Sequence, residues 1–353
     1  MYRHRLAVLV SAAFAALTIT ATASATIAYQ SASSGQLMTA SDAAAGATRL
    51  GVKGTSPLIS PDGTRVAYIG GTANRPQLRI RTIATGAEVV AAVEPGTSVG
   101  FGSEWAPDSA HLAVPTESAT AKGYITGAGI DIVDAATGVA TVVVAPKGND
   151  LAGFSWAPTA DRLVYGWQRY GAAFGTGSLR IAGLDGAQLA TLGAGTNPLW
   201  GPRLIAFQRT TSARWHGMTV QHAQLWTIDP ATPGAAATQL THYASVGLVY
   251  GPFAAAWSPD GTTIFGGIGG EDMSLPGRIS LATGRFANLR DGAGKPLYDA
   301  AVVAVSADGR TLLLDTGEMS GTSVYRTIPV GGGALRVYLK HAYNLSVQPS
   351  WQP

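Results

Sequence analysis

Residues 59–68, with the sequence ISPDGTRVAY, contain the motif that decides the fold. Pro61 fixes φ at the second position of a tight turn, Asp62 can accept hydrogen bonds from nearby backbone amides, and Gly63 tolerates a positive φ. The apolar residues that follow are typical of a β-strand. The segment therefore predicts two antiparallel strands that are joined by a short hairpin turn.

Related segments recur along the chain. They read SEWAPDSAHLAVP at 103–115, FSWAPTADRLVYG at 154–166, PLWGPRLIAFQ at 198–208, AAWSPDGTTIFGG at 255–267 and VAVSADGRTLLLD at 303–315, and the chain ends in QPSWQP. The residue before each turn is, in order, Ile59, Trp105, Trp156, Trp200, Trp257, Val305 and Trp351. Each unit also contains a second hairpin, such as IDIVDAATGVATVVV at 130–144. Four short strands in a period of about 45 residues predict the blades of a β-propeller.

The number of units predicts how the ring closes. Seven segments resemble an innermost strand, but only six are followed by the other three strands of a blade. We therefore expect an all-β, six-bladed propeller of four-stranded antiparallel blades over residues 49–353, closed by the C-terminal strand. Either Trp351 or the segment 57–59 could fill the innermost position of blade 1, and the sequence leaves both possibilities open. The repeated carboxylates Asp62, Asp108, Asp260 and Asp308 are interpreted as turn formers.

The segment WSPDGTTIFGG at 257–267, with RISLATGRFANL at 278–289, resembles the TolB-type (WD40-like) propeller repeat. The terminal PSWQP resembles the closing strand of such propellers. The resemblance extends over about residues 49–353, without the α/β domain that precedes the propeller in TolB, and blades 3 and 4 have the degenerate turns APTAD and GPRL. It implies the fold strongly and the function weakly, because such repeats occur in transport-associated proteins, in peptidase gating domains and in exported proteins of unassigned role.

The N-terminus has the features of a secretory signal peptide over residues 1–25. Arg3 and Arg5 precede an apolar segment, and small residues follow at 21–25. An uncleaved membrane anchor is the alternative. The Ser/Ala/Gly-rich segment 26–48 is interpreted as a flexible linker. We therefore expect a secreted or cell-envelope protein with no membrane span after cleavage, or else an N-terminally anchored one.

Composition argues against several classes of function. Without Arg3 and Arg5, 22 basic residues face 21 acidic ones, and no block of like charge suggests nucleic-acid binding. There is no cysteine, and hence no disulfide. The sequence contains no cofactor fingerprint, metal cluster or paired nucleophile and base, and Glu104 is the only acidic residue of the predicted innermost strands. We expect a monomer without a cofactor or a metal.

Two predicted loops on one face of the ring carry aromatic and basic side chains. They are WQRYGAAF at 167–174 and RTTSARWHGMTVQH at 209–222. The candidate ligand-binding residues are Trp167, Arg169, Tyr170, Arg214, Trp215 and His216, which could bind a ligand by stacking and by charge-assisted hydrogen bonds. The predicted function is non-catalytic binding of an envelope or extracellular protein, peptide or glycan through this loop-rich face. The alternative is an extracellular propeller hydrolase or lyase with its site at the channel mouth.

Overall fold

The structure is a computed structural model that describes residues 26–41, 46–72, 75–93, 97–99, 102–172, 176–232, 234–243, 249–270, 274–317, 323–349 and 351. The predicted signal peptide lies outside these residues. In chain order the strands are β1 (Ile27–Ser31), β2 (Gln36–Ala40), β3 (Thr48–Lys53), β4 (Thr55–Ile59), β5 (Arg65–Thr72), β6 (Arg75–Thr82), β7 (Glu88–Val90), β8 (Thr97–Val99), β9 (Glu104–Trp105), β10 (His111–Ala119), β11 (Ile125–Asp134), β12 (Ala140–Val144), β13 (Asn149–Trp156), β14 (Arg162–Arg169), β15 (Ser178–Gly183), β16 (Gln188–Ala194), β17 (Thr196–Trp200), β18 (Ile205–Trp215), β19 (Met218–Ile228), β20 (Thr238–Gln239), β21 (Val249–Trp257), β22 (Thr263–Gly270), β23 (Ser274–Ser280), β24 (Phe286–Asn288), β25 (Ala301–Val305), β26 (Thr311–Asp315), β27 (Val324–Pro329), β28 (Arg336–Lys340) and β29 (Ala342–Val347).

These strands form a β-propeller of antiparallel blades, as the repeats predict. Blades 1 to 6 are built from β4–β7, β8–β12, β13–β16, β17–β20, β21–β24 and β25–β28. Each begins with its innermost strand, which β8 and β9 share in blade 2. The turns after the first and third strands lie on one side of the ring, which we call the turn face. The C-terminal ends of the second and fourth strands lie on the opposite side, the loop face.

The ring has seven blades, so the prediction of six is wrong. In blade 7 the C-terminal strand β29 is innermost and pairs with β1, which pairs with β2 and then with β3. The segment 26–48, which the sequence predicts as a flexible linker, contains the strands β1 and β2 of this blade. Its apolar residues Ile27, Ala28 and Leu37 are fully buried. The sequence does not predict these strands because the Ser/Ala/Gly-rich composition hides the alternation of buried and exposed residues. In addition, the innermost strand of the blade comes from the other end of the chain.

The closing strand also differs in register from the prediction. Val347, not Trp351, occupies the position at the end of the innermost strand, opposite Ile27. The segment 57–59 keeps its place in β4 and pairs with β5 of blade 1. Trp351 lies beyond the turn that follows β29, with no exposed surface, and its Nε1 donates to the Tyr338 hydroxyl at 2.9 Å. It thereby fixes the C-terminal segment to blade 6.

The repeated turns are built as the motif predicts. The Ser258 hydroxyl donates to Asp260 Oδ1 at 2.6 Å, and the amide of Thr262 donates to the same oxygen at 3.0 Å. The same contacts recur around Asp62 and Asp308. Hydrogen bonds from Ser258 and Thr262 lower the pKa of Asp260. These carboxylates therefore stabilise the turns.

Tryptophans at the ends of innermost strands hold neighbouring blades together. Trp105 Nε1 donates to the Leu58 carbonyl at 3.0 Å, Trp156 Nε1 to the Glu104 carbonyl at 3.1 Å, and Trp257 Nε1 to the Leu199 carbonyl at 3.1 Å. In each case the carbonyl belongs to the preceding blade. Burial between blades and a satisfied indole N–H explain why this position favours tryptophan. Within the ranges described above, no helix has the length and apolarity that crossing a bilayer requires.

Candidate ligand-binding site

The first group of predicted site residues lies on the loop face at the end of β14. Trp167 is half-buried, its Nε1 donates to Asn149 Oδ1 at 3.0 Å, and the Arg180 guanidinium lies 3.8 Å from its ring centroid. Tyr170 is 48% exposed, and its hydroxyl donates to the Ile125 carbonyl of blade 2 at 2.6 Å. Arg169 is exposed. Trp167 is thus held by contacts within blade 3, and Tyr170 links blade 3 to blade 2.

The second group lies at the tip of the long hairpin between β18 and β19. Arg214 Nη1 donates to the Gly217 carbonyl at 2.8 Å, and His216 has a φ of 46°. Both side chains are exposed, while the side chain of Trp215 is outside the described part. Counted from the turns, Arg169 corresponds to Thr211, so Arg214 stands about 10 Å further out along the strand. The two groups therefore lie on the same face of the ring but at different distances from the turn face.

A cavity of about 810 Å³ opens on the turn face over blade 4. It exists because the first turn of this blade is short. Four residues, 201–204, connect the paired residues Trp200 and Ile205, whereas six connect Trp156 to Leu163 in blade 3 and six connect Trp257 to Ile264 in blade 5. We call the space between the two longer turns the turn-face cleft. Its lining includes Pro158, Arg162, Trp200, Arg203, Asp229, Trp257 and Asp260.

Trp200 differs from the equivalent tryptophans of the neighbouring blades. Its backbone amide donates to Ser155 Oγ at 3.1 Å, but among the described residues its indole N–H has no hydrogen-bond acceptor. Trp257 packs against the short turn so closely that a Cβ on Gly201 would lie 2.5 Å from its ring. The indole of Trp200 therefore belongs to the lining of the cleft without an acceptor of its own, and the indole of Trp257 forms another part of the wall.

The charged side chains of the cleft differ in whether they already have a hydrogen-bond or salt-bridge partner in the protein. Asp229 accepts from the amide of Ala231 at 2.9 Å and from the Thr232 hydroxyl at 2.7 Å, so its carboxylate is occupied by its own turn, as that of Asp260 is. Arg162 forms an exposed pair with Asp161, with Nε 3.4 Å from Oδ1. In the part of the chain that the structure describes, Arg203 is exposed and forms no salt bridge.

Three hydrogen-bond donors of the cleft remain available to a ligand, beside the carboxylates of Asp229 and Asp260, which keep further acceptor lone pairs. The donors are the Arg203 guanidinium, the Trp200 indole N–H and, through a weak surface pair, the Arg162 guanidinium. Guanidinium groups bind carboxylates bidentately, and indole and proline rings offer flat apolar surfaces. The cleft is therefore suited to a ligand that carries carboxylates or other acceptors. The sequence contained a signal for this site in the missing turn residues of GPRL.

A second feature lies in the wall of the central channel. Glu104, Ser155 and Ser346 each precede the end of an innermost strand. Ser346 Oγ accepts from the amide of Ile59 at 3.2 Å, Ser155 Oγ accepts from that of Trp200, and the Glu104 carboxyl accepts from that of Trp156. Although Glu104 retains some accessible surface in the channel, protein surrounds it, and this burial raises its pKa to about 7. It is a carboxyl that can hold or release a proton near neutral pH.

Nowhere in the described ranges do three or more His, Asp or Glu side chains come together in a group that could hold a metal ion.

Comparison with known proteins shows relatedness in structure only. The sequence matches no protein-family model and no curated protein. An oligogalacturonate lyase in complex with manganese superimposes with a TM-score of 0.58 at 16% identity, over 91% of this chain and 87% of the lyase chain. The tricorn protease superimposes with a TM-score of 0.59 at 14% identity, over 88% of this chain but 33% of the protease chain.

TolB from Acinetobacter baumannii is also among the similar structures. It superimposes with a TM-score of 0.48 at 13% identity, over 91% of this chain and 66% of that chain. A score this low carries no argument about family, so the resemblance to TolB-type repeats rests on the motifs of the sequence. What these structures share with this chain is the β-propeller fold.

Proposed function

We propose that this chain is a non-catalytic binding propeller, secreted or held in the cell envelope, which binds a carboxylate-bearing ligand in the turn-face cleft. The observation that supports the proposal is the indole N–H of Trp200, which has no acceptor among the described residues and belongs to the lining of a cavity that also offers the guanidiniums of Arg162 and Arg203. The carboxylates beside them are occupied by their own turns. A volume of about 810 Å³ is within the range of pockets that bind small ligands or short polymer segments.

The proposed site lies opposite the face on which the sequence placed its candidate residues. Trp167 and Tyr170 are already engaged in contacts within blades 2 and 3, whereas the donors of the cleft are available. The exposed Arg214, at the tip of the loop-face hairpin, supplies a matched control for Arg203. A comparison of the two arginines therefore separates the two faces.

The test is a titration with acidic and neutral probes. Tri-galacturonate and triglutamate are compared with an uncharged trisaccharide and triglutamine, by calorimetry or by tryptophan fluorescence. Arg203→Gln removes a cation, and Trp200→Phe removes the indole N–H but keeps a ring. We expect each to weaken binding of an acidic probe about tenfold, which is the loss of one good charge-assisted contact.

Arg214→Gln should leave binding of the acidic probes unchanged. Failure of both acidic probes to bind the folded protein would overturn the proposal. A loss caused by Arg214→Gln rather than by Arg203→Gln would move the site to the loop face and support the residues that the sequence indicated.

A catalytic role at the channel is the second candidate, and Glu104 is the observation that favours it. A carboxyl with a pKa of about 7 can act as a general acid or base. Because a lyase shares the fold, polygalacturonate is the first substrate to test. The binding proposal expects capture without cleavage. An unsaturated product that is lost in Glu104→Gln would favour the catalytic function.

A further inference from the structure

A groove continues from the turn-face cleft along the boundary between blades 4 and 5. A second cavity, of about 520 Å³, shares Leu204, Asp229 and Leu281 with the cleft. A third, of about 410 Å³, shares Leu240 and His242 with the second. We call the three connected cavities the seam groove. It runs from the inner strands near Trp200 to the outer rim at Arg285 and Phe286.

The outermost strand of blade 4 explains why this boundary is open. β20 pairs with β19 only at Trp226 and Thr227, although β19 spans 11 residues. Beyond β20, a turn of blade 5 approaches the backbone of blade 4, and a Cβ on Gly284 would lie 1.8 Å from the Leu240 carbonyl oxygen. This contact closes the base of the boundary, and the short strand leaves the space above it unfilled.

The side chains of the groove vary along its length. Small residues form part of the lining of its middle, beside larger side chains such as Ile228, Asp229, Gln239 and His242; the small residues are Ala235, Ala236, Thr238, Ala282 and Thr283. Large rings occur only at its two ends, where Trp200 and Trp257 lie inside and Phe286 and Tyr243 lie outside. An exposed arginine also lies at each end of the groove, Arg203 at the inner end and Arg285 at the outer end.

We infer that the carboxylate-bearing ligand is an extended acidic peptide that lies along the seam groove, with acidic side chains at Arg203 and Arg285. This inference rests on the proposed function and adds the class of ligand and its direction. Both terminal arginines attract carboxylates, and the alanine-lined middle accepts a backbone with small side chains. A polysaccharide favours large aromatic stacking surfaces along its length, and the middle of the groove has no Trp, Tyr or Phe among its lining residues.

The dimensions of a blade set the length of the peptide. The innermost and outermost strands of a four-stranded blade are separated by three strand spacings, or about 14 Å. An extended peptide advances about 3.3 Å per residue, so four to five residues cross the blade. A hexapeptide can therefore contact both arginines, whereas a dipeptide reaches only one.

The experiment compares two acetylated and amidated peptides, Glu-Glu-Ala-Ala-Glu-Glu and Glu-Glu, by calorimetry on the full chain. The wild-type protein should bind the hexapeptide at least about tenfold more tightly than the dipeptide. Ala236→Trp fills the middle of the groove, and Arg285→Gln removes its outer cation. Both should weaken hexapeptide binding about tenfold and leave the dipeptide unaffected, whereas Arg203→Gln should weaken both peptides. Ala187→Trp, at an exposed turn of blade 3, is the matched control.

The outcomes separate this inference from the proposed function. Equal affinity for the two peptides, or no effect of Ala236→Trp and Arg285→Gln, would contradict the inference that the peptide lies along the seam groove. The proposal of a binding site in the turn-face cleft would remain. Binding of neither peptide by the folded protein removes the cleft as a site for acidic peptides as well. Hexa-galacturonate binding that is weakened by both groove variants, with no hexapeptide binding, would identify the ligand as an acidic glycan instead.

Discussion

Val347 stands opposite Ile27 in the ladder that joins β29 to β1. The two ends of the described chain therefore form one sheet, and blade 7 contains strands from both. The amide of Gln348 extends this contact, since it donates to the Thr26 carbonyl at 2.9 Å. This pairing leaves no open innermost position in the ring.

Trp351→Ala should destabilise the protein, because Trp351 is fully buried and packs edge-to-face on Tyr338 at 5.6 Å between ring centroids. We expect the free energy of unfolding in urea to fall by about 3–5 kcal/mol. Tyr124→Ala, at a side chain that is 70% exposed, is the control and should change it by less than about 0.5 kcal/mol. Similar values for both variants would show that Trp351 does not stabilise the ring.

Asp260→Ala should lower the midpoint of thermal unfolding by a few degrees, because the turn loses hydrogen bonds from Ser258 and Thr262. The pKa of Asp260 is lowered in the folded protein, so its contribution is complete above the unfolded pKa of about 4 and is lost at lower pH. Asp260→Asn keeps an acceptor oxygen, so its midpoint of thermal unfolding should lie between those of the wild type and Asp260→Ala. Because asparagine does not ionise, this midpoint should lack the pH dependence that Asp260 causes. Unfolding scans between pH 2 and 7 compare the three proteins.

Glu104 predicts a pH dependence of the opposite sign. Its folded pKa of about 7 lies above the ordinary value of 4.5, so the folded state binds a proton that the unfolded state releases in this interval. Its stabilising effect is complete below pH 4.5 and is lost as the pH rises towards 7, by up to about 3 kcal/mol.

Glu104→Gln cannot ionise. It should therefore match the wild type at pH 4 and exceed its free energy of unfolding at pH 8. Glu117→Gln is the control for the substitution itself. If the difference between Glu104→Gln and the wild type did not change with pH, the assignment of this proton would be wrong.

Gly284→Ala tests the close contact between blades 4 and 5. A methyl group at this position meets the Leu240 carbonyl oxygen at 1.8 Å, and the backbone has a φ of +64°. Gly234 has a similar φ of +72° with nothing within 4 Å of the added Cβ. Gly234→Ala should cost about 1 kcal/mol of unfolding free energy for backbone strain, and Gly284→Ala should cost clearly more. Equal losses would show that the two blades do not depend on this contact.

The sequence predicts six of the seven blades because their turns carry a local signal. Pro61 and Gly63 have backbone requirements that are visible from one residue to the next, and the same turn recurs at a regular spacing. In blade 7 only the innermost strand has such a signal, in the terminal QPSWQP that follows it, and the other three strands have none. Its innermost strand and its three other strands are joined by pairing of Val347 with Ile27, and no local pattern connects them.

The turn-face cleft shows a different limit of sequence analysis. The short turn GPRL is visible in the sequence, but its consequence depends on Trp200, which loses the acceptor that the equivalent tryptophans have. The candidate side chains at 167, 169 and 170 are aromatic or basic and so have the chemistry of a binding site. For Trp167 that chemistry is engaged within the blade, since Asn149 and Arg180 contact its ring. A sequence repeat therefore predicts the blades of the propeller, whereas the contacts of an individual side chain can be known only from the structure.

The pairing of β1 with β29 also determines how the ring responds to mechanical tension. Ile27 and Val347 lie at the same end of an antiparallel ladder, so a force that pulls the two ends of the chain apart opens its hydrogen bonds one pair at a time, as in unzipping. Such a ladder yields at lower force than one loaded in shear. On the C-terminal side, however, tension reaches Trp351 before it reaches Val347, and the buried indole must leave blade 6 first. The buried side chain of Trp351 therefore adds a mechanical resistance that the ladder alone does not have.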